Sequence, residues 1–504
     1  MFKRILIANR GEIAVRIIRT CRDLGIWTVA VFPPSDFDSL HVRIADEAHE
    51  LHSSRHYGDG DEILSIARQA GVEAIHPGYG FLAEDAAFAR SCVEAGFVFV
   101  GPPVDVLERL QSKHTMLDEA EAAGFPTPPH STTTCGRRTT CDGEALDAMA
   151  AEAAALGYPI VVKSCRGGRG RGTRLVFKPE ELADGLEQAR RESLLVYGDG
   201  TLYLERALWP VCHVDVQVLA DREGAVVHLG ERSSSMQQHN QKLVAESPAP
   251  CLTPELRRRV WQMAVEITRL FDYCGAGTVE FLVTTDGRIY FSDFKSRIQV
   301  VHRVTEMVSS MDVVAAQLEL ASGPLVSGRT LGFDQSGVCL NGWAMQCRIN
   351  AEDPWNHYLP SPGVLHRFRL PGGQHVRVDT YGFAGCTVPE RYDSLLALVV
   401  TWGADRDECI RRMKRALQDF VIVGVQTNLP LHQRIMEHPG FVEGRYTTDF
   451  IQQARLADPA PMASLRDLAI AAAVAYERRT RAIRPVEPER LRSGWHRSAR
   501  RLPG

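Results

Sequence analysis

The chain has 504 residues, 44% of them hydrophobic and 24% charged, with a net charge of −4. That length exceeds one ordinary core, so about three domains are expected; the composition is globular, and the small charge excludes a general attraction to nucleic acid or membrane surfaces. No apolar run approaches the roughly 20 residues of a membrane span, and the start, MFKRILIANRGEIAVRII, reads as a strand and helix rather than a signal peptide.

Over residues 1–110, short apolar strands (4–8, 27–32, 73–75 and 97–100) alternate with helix patterns such as 12–24 and 62–70. That alternation implies a parallel, Rossmann-like sheet. Asn9-Arg10-Gly11 follows the first strand at a helix N-terminus, where anions are often held, but no GxGxxG fingerprint accompanies it. The run HPGYGFLAE (76–84) is a tight Gly/Pro-rich connection, either a structural loop or a functional one.

Residues 111–330 hold the chemistry. Lys113 heads a helix pattern that runs to 123, and YPIVVK (158–163) reads as a buried strand ending in Lys163, followed by SCRGGRGRG (164–172). A strand, a terminal lysine and a glycine-rich turn form a flap over phosphates; a solvated hairpin tip has the same composition. Strand patterns follow at 201–206, at 213–220 and within 231–250, with His213 a structural histidine by default.

The stretch GAGTVEFLVTTDGRIYFSDFKSRIQVVHRVTEM (275–307) is the most informative. Two apolar runs, 277–283 and 288–294, flank Asp286-Gly287, which suits a two-residue type I′ hairpin. With Thr285 facing Arg288, counting outward puts Glu280 opposite Asp293, with Cβ atoms about 5 Å apart. Two carboxylates there repel unless a cation lies between them, so the residues read as a hard-metal site for Mg²⁺ with a nucleotide, against an ordinary hairpin bearing two solvated acids. Extended chain beyond it would set Asp293, Lys295, Arg297, Gln299 and Val301 on one face.

Residues 335–447 read as a further α/β region, with RINAEDP (348–354), LPSPG (359–363) and YDS (392–394); by local features Arg348 is a loop-ordering ion pair. The tail holds an Ala-rich helix candidate at 461–479 and an Arg- and Pro-rich end, 481–504, expected to be flexible and solvated. Twelve cysteines without CxxC or zinc spacing read as reduced thiols that fill the core, and the expected compartment is the cytoplasm.

Taken together, ILIANRGEIAVRII, HPGYGFL (76–82), GYPIVVK (157–163), HVDVQVLAD (213–221), APCLTPELRR (249–258), GAGTVEF, RIQV, VTEM, CRINAEDP (347–354), LPSPG and YDS resemble the biotin carboxylase component of biotin-dependent acyl-CoA carboxylases. The resemblance runs from residue 1 to about 451. It implies an α/β ATP-grasp fold: a Rossmann-like N-terminal domain over 1–110, an ATP-grasp domain over 111–330 with a flap at about 130–204, a C-terminal biotin carboxylase domain over 335–447, and a helical, basic tail over 448–504. It also implies carboxylation of biotin by bicarbonate through carboxyphosphate, with ATP and Mg²⁺ as cofactors and biotin a substrate on a separate carrier.

Carried over residue by residue, Lys113 and Lys163 would lie on the nucleotide phosphates, with Gly167 and Gly168 in the flap above them. Glu205 and Leu208 fall beside the adenine, and His213 and Lys242 line the nucleotide and reaction site. Glu280 and Asp293 match the magnesium carboxylates, Arg297, Gln299 and Val300 the bicarbonate-binding run, and Arg348 the arginine that steadies the biotin enolate. Arg19, Asp23 and Phe368 fall on the face through which family members dimerise.

The departures gather at the chemistry. Val301 stands where the family has the Glu that takes bicarbonate's proton, a role that supplies about 10²–10⁴-fold. Lys295 replaces a metal-supporting Asn and would compete with Mg²⁺, and Asp293 is a shortened form of the second metal carboxylate. Arg166 and Arg169 interrupt the flap glycines, Asn240 replaces a His, Ala245 an acid, Arg303 a Pro and Leu398 a lysine.

These changes give the expectation of a catalytically impaired family member, a pseudoenzyme with a structural or regulatory role in acyl-CoA carboxylation and fatty acid biosynthesis. The alternative is an active biotin carboxylase that recruits another base, such as His302 or Glu306. A third reading is nucleotide binding without turnover, with Lys295 in place of magnesium. No Met-Lys-Met sequence is present. The expected partners are therefore a separate biotin carboxyl carrier protein and carboxyltransferase subunits, with a second copy or an active paralogue as dimer partner, and neither nucleic acid nor membrane.

Overall fold

The apolar runs near the start pair in parallel: Arg4–Ile7 (β1), Trp27–Phe32 (β2), Glu47–Glu50 (β3), Ala74–His76 (β4) and Val98–Phe99 (β5) form a sheet in the order β3-β2-β1-β4-β5. Ile5, Leu6 and Ile7 are all fully buried, as expected of a parallel strand covered on both faces. Helix Gly11–Asp23 (α1) packs on the sheet through Ile13, Ala14, Ile17, Ile18 and Cys21. In this computed structural model, residues 1–136, 141–167, 170, 172–238, 241–323, 332–458 and 462–482 are described. β3 has the sequence EAHE and alternates half-buried with exposed residues; as a short polar edge strand it carries no apolar run for sequence reading to find.

The residues that lead from β1 into α1 hold neighbouring loops. Asn9 Nδ2 donates to the carbonyls of Pro77 (2.7 Å) and Tyr79 (2.9 Å), which ties down the 76–84 connection. Arg10 pairs with the buried Asp36.

Helix Lys113–Ala122 (α2) leads to a three-stranded sheet, in the order β7-β6-β8, formed by Ile160–Ser164 (β6), Arg174–Val176 (β7) and Leu202–Arg206 (β8) and backed by helix Leu182–Tyr197 (α3). One expectation fails here: Cys135 and Cys141 are joined in a disulfide, with Cα atoms 5.6 Å apart, rather than being free thiols. A search for CxxC or zinc spacing misses a pair whose closeness comes from a loop. Cys21, Cys92, Cys165, Cys212, Cys274, Cys347, Cys386 and Cys409 are free and buried, as filler should be.

The central sheet has eight antiparallel strands: Val211–Ala220 (β9), Val226–Gln238 (β10), Gln241–Ser247 (β11), Gly275–Thr284 (β12), Ile289–Lys295 (β13), Trp343–Asn350 (β14), Val376–Thr380 (β15) and Leu395–Gly403 (β16). Their order is β13-β12-β9-β10-β11-β14-β16-β15. Glu280 does lie opposite Asp293, but not by the expected route. The turn has three residues, not two: Gly287 N donates to Thr284 O, Thr284 N to Arg288 O, and Gly287 takes φ +84°. This is the longer loop that ends in a left-handed glycine. A bulge between Glu280 and Phe281 then takes up one residue and restores the pairing.

The expected extended row past Asp293 is also corrected. β13 stops at Lys295, the chain bends through residues 296–301, and helix His302–Ser309 (α4) begins with Val301 as its N-cap. Alternation cannot be carried across a strand end.

Charged side chains stitch the regions together beneath α4. The fully buried Arg303 pairs with Glu12 of α1 and with Asp379 of β15, and donates to Val300 O at 3.0 Å. Arg16 pairs with Glu306 and Asp312, and Arg377 with Glu306 and Asp379. A second unit begins at Ala457 and contains the helix Met462–Ala482; the Arg- and Pro-rich end from 483 onward lies outside the described residues. No helix among the described residues is long and apolar enough to cross a membrane.

Replacing Arg303 with methionine would take the paired cation from the buried Glu12 and leave Asp379 with Arg377 alone. It is expected to lower stability by about 3–5 kcal/mol, read as a fall in the urea midpoint with an unchanged slope.

Candidate functional site

Three carboxylates lie in a row across adjacent strands, because Glu280 of β12 is the partner of Asp215 on β9 and of Asp293 on β13. Neighbouring strands are about 4.8 Å apart, and all three side chains are buried. Such a row is stable only with cations in contact. Lys242 Nζ lies between two of the acids, 2.7 Å from Asp215 Oδ2 and 2.8 Å from Glu280 Oε1. Lys113 Nζ, from α2, and Lys295 Nζ both reach Asp293 Oδ2, at 2.5 and 2.6 Å. Gln299 Nε2 donates to Glu280 Oε1 at 2.7 Å, and His213 Nε2 faces Asp215 Oδ1 and Glu280 Oε2 at 3.3 and 3.5 Å.

Beneath the row, the fully buried Arg232 bonds Gln217, Thr278, Gln299 and Thr305, so the amide that touches Glu280 is itself fixed. Asp215 and Arg232 are site residues that sequence reading misses. A signal is there: His213, Asp215 and Gln217 alternate along HVDVQV, a polar face on an otherwise apolar strand.

The electrostatics follow from these contacts. Burial pushes the Glu280 carboxyl up, but Lys242 and Lys295 with His213 outweigh it and hold the group well below the carboxylate range. Asp293 is likewise raised by burial and pulled back, to about 2, by Lys113 and Lys295. Burial lowers Lys113, with Lys295 and Lys163 adding to the effect and Asp293 opposing it. His213 ends above its ordinary value because Asp215 and Glu280 outweigh burial and Lys242.

The other expected residues are placed as follows. Lys163 Nζ donates to Glu205 Oε2 at 2.5 Å, and Tyr203 holds the other oxygen of Glu205, so two of the expected nucleotide residues are paired with each other. Leu208 is half-buried just after β8. Gly167 has φ +101°, and a Cβ there would lie 2.2 Å from the Tyr197 ring, so glycine is required. Arg166 is half-exposed beside Asp199, at 3.5 Å. Gly168, Arg169 and Asn240 lie outside the described residues.

Arg297 pairs with Glu84 of the 76–84 connection, at 3.2 Å, which gives that loop a part in the site. Val300 is half-buried and lends its carbonyl to Arg303. Arg348 donates to Asp393 at 2.6 Å and to Asn350 at 3.1 Å, orienting its guanidinium. Arg19 and Asp23 are exposed on α1, whereas Phe368 is half-buried and packs on Phe420 at 5.4 Å.

At position 301 the surroundings are apolar: Val301 is buried in a cluster with Ala245, Val304, Val308 and Ala344. Neither suggested replacement base is available. His302 is fully buried, bonded through Nδ1 to Gln299 O at 2.7 Å, and held neutral by burial and by Arg303 and Arg16. Glu306 is taken by Arg16, Arg377 and the Val313 N–H, and it lines a cleft of about 470 Å³ that contains none of the carboxylate row.

His213, Asp215 and Glu280 offer three ligand atoms within 4.8 Å of one another, a group able to hold a metal ion among the described residues. The donors do not fit a divalent ion between Glu280 and Asp293, however. Three ammonium groups already answer three carboxylates, with Lys242 on Glu280 Oε1 and both Lys113 and Lys295 on Asp293 Oδ2.

The family described as biotin carboxylase, N-terminal domain, matches residues 1–107; the carbamoyl-phosphate synthase L chain ATP-binding domain matches 129–327, and the biotin carboxylase C-terminal domain 346–453. Biotin carboxylase 1 of Bacillus subtilis is 43% identical over 456 residues, covering 90% of this chain and 98% of that one. The biotin carboxylase of a Nostoc species is 41% identical over 455 residues, covering 90% of this chain and 99% of that one. Among solved structures, the biotin carboxylase domain dimer of Hydrogenobacter thermophilus 2-oxoglutarate carboxylase, in complex with MgADP, ADP and bicarbonate, superposes with a TM-score of 0.86 at 39% identity, over 92% of this chain and 100% of that one. A Campylobacter jejuni biotin carboxylase in complex with a β,γ-ATP ligand gives 0.84 at 35% identity, over 90% and 99%.

Because the Asp293 carboxyl is held below its ordinary 3.8, at about 2, its stabilising contribution is complete above pH 3.8 and is lost as the pH falls through 2. The gap in urea midpoint between the parent and Asp293→Asn is expected to stay constant from neutral pH to about pH 4 and to narrow toward about pH 2.

Proposed function

The chain belongs to the biotin carboxylase family, and on that premise we propose that it is the biotin carboxylase subunit of a biotin-dependent acyl-CoA carboxylase, joining bicarbonate to carrier-bound biotin as ATP is cleaved. The observation that carries this reading is the convergence of Lys113, Lys242 and Gln299 on the Asp215–Glu280–Asp293 row, with Arg297 alongside and Arg348 held by Asp393. Whole-length identity with proteins named as biotin carboxylases supports it as well.

In this reading a bicarbonate oxygen attacks the γ-phosphorus, ADP leaves, and the carboxyphosphate so formed passes its carboxyl group to the ureido nitrogen of biotin; the released phosphate takes up that nitrogen's proton, and bicarbonate's own proton goes to solvent. Lys113 and Lys163 exchange their carboxylate partners for phosphate oxygens, where their charge counters that of the transferring group. The flap about Gly167 and Gly168 closes over the phosphates, with Glu205 and Leu208 at the adenine. Arg297, Gln299 and the Val300 backbone receive bicarbonate, and Arg348 steadies the enolate of biotin. A biotin carrier and a carboxyltransferase are its partners in this reading, and the protein works as a dimer.

One observation favours a second reading, in which turnover is impaired and the chain serves a structural or regulatory role beside an active paralogue. Val301 presents a buried apolar surface at the position of the proton acceptor, with no other base available beside it among the described residues. Loss of such a base slows a reaction by about 10²–10⁴-fold rather than abolishing it.

Bicarbonate- and biotin-dependent ATP cleavage by the purified protein is the test. On the first reading the parent shows it, and Val301→Glu changes the rate little. On the second, Val301→Glu together with Ala245→Glu, which opens the apolar cluster, raises the rate by about 10²-fold or more. A parent whose ATP cleavage is indifferent to both bicarbonate and biotin removes the first reading.

A further inference from the structure

We propose that Lys295 is a tethered cation that takes a divalent ion's place on Asp293, so that this chain binds a nucleoside diphosphate or triphosphate with little dependence on magnesium. The inference rests on the nucleotide-binding part of the function proposed above and concerns the charge balance within that site.

Lys295 follows Asp293 by two residues on β13, so both side chains leave the same face of one strand. Its Nζ lies 2.6 Å from Asp293 Oδ2, and its side chain is only 15% exposed. Lys113, which meets the same oxygen, comes from α2, a separate element packed against the sheet. Lys242 comes from β11, three strands away from β12 in the sheet. When phosphates arrive, Lys113 and Lys242 can transfer to them. Lys295 stays within reach of Asp293 whatever enters the site, because one strand carries both.

Charge counting points the same way. Asp215, Glu280 and Asp293 bring three negative charges, and Lys242, Lys113 and Lys295 bring three positive ones in direct contact. A divalent ion on Asp293 would lie within a few ångströms of the Lys295 ammonium held beside it on the same strand, in a pocket with little solvent to screen the repulsion. The nucleotide phosphates, by contrast, would meet a site that already holds the cation on its own strand. Asp293 and Lys295 thus act as one neutral pair, so no divalent ion is needed to offset Asp293 when phosphates approach.

Two titrations on the full-length protein test this. Calorimetry with ADP, in excess Mg²⁺ and in EDTA, is expected to give the parent dissociation constants within about threefold of each other, and Lys295→Asn at least tenfold weaker binding in EDTA than in Mg²⁺. Lys295→Arg, which keeps the cation, should follow the parent. Mn²⁺ titrated without nucleotide and followed by electron paramagnetic resonance should bind Lys295→Asn about tenfold more tightly than the parent; Lys295→Gln serves if the Asn variant does not fold. Magnesium dependence of tenfold or more in the parent, or equal Mn²⁺ affinity in parent and variant, overturns the inference. A folded parent that binds no ADP under either condition removes the nucleotide role of Lys295 together with the functional reading, while a gain in Mn²⁺ affinity in the variant would still support the exclusion of metal by Lys295.

Discussion

Three acids placed side by side on adjacent strands, away from water, repel one another unless cations are brought to them, and much of the centre of this molecule is arranged to bring them. Strand spacing fixes the acids within about 5 Å. Lys242 arrives from β11, Lys113 from the start of α2, and Lys295 from β13 itself. The guanidinium of Arg232 below anchors Gln299 and so adds a neutral donor to Glu280. Removing Lys242 would leave Asp215 and Glu280 facing each other without the ammonium between them, which is why the site and the fold are hard to separate energetically.

A second ionic system lies on the other side of α4 and has a different purpose. Arg303, Arg16 and Arg377 meet Glu12, Asp379, Glu306 and Asp312, tying the first helix to the last strands of the sheet. The bend that carries Gln299, Val300 and Val301 runs between the two systems. Gln299 is held from one side by Arg232, and the Val300 carbonyl from the other by Arg303. That double hold defines where Val301 points, into the cluster with Ala245 and Val304 rather than toward the acids.

Much of this is legible in the residues. The parallel sheet at the start, the Lys163 strand and the Glu280–Asp293 pairing all follow from local apolar patterning, and the order of the sequence blocks supplies the family. The pairing nevertheless comes out through a turn one residue too short, and the bulge at Glu280 supplies the correction. A bulge breaks alternation without leaving a sequence mark of its own. The contacts of Glu84 with Arg297 and of Asp393 with Arg348, like the Cys135–Cys141 bond, depend on loops that meet only in the folded chain. Carrying strand periodicity past Lys295 fails for a simpler reason: the chain stops being a strand there, and no residue between 296 and 301 announces it.

The eight-stranded sheet has a consequence for how such a protein can be rebuilt. β14, β15 and β16 come from beyond residue 342, yet β14 is hydrogen-bonded to β11, so one continuous ladder runs from Asp293 at one edge past Arg348 toward the other. The long connection before β14 is therefore a break in the chain's path and not in its architecture. A polypeptide cut short there would bare the full edge of β11, an open template for foreign strands. Reshuffling the parts of this protein, by fusion or by dissection, has to treat that ladder as a single plank.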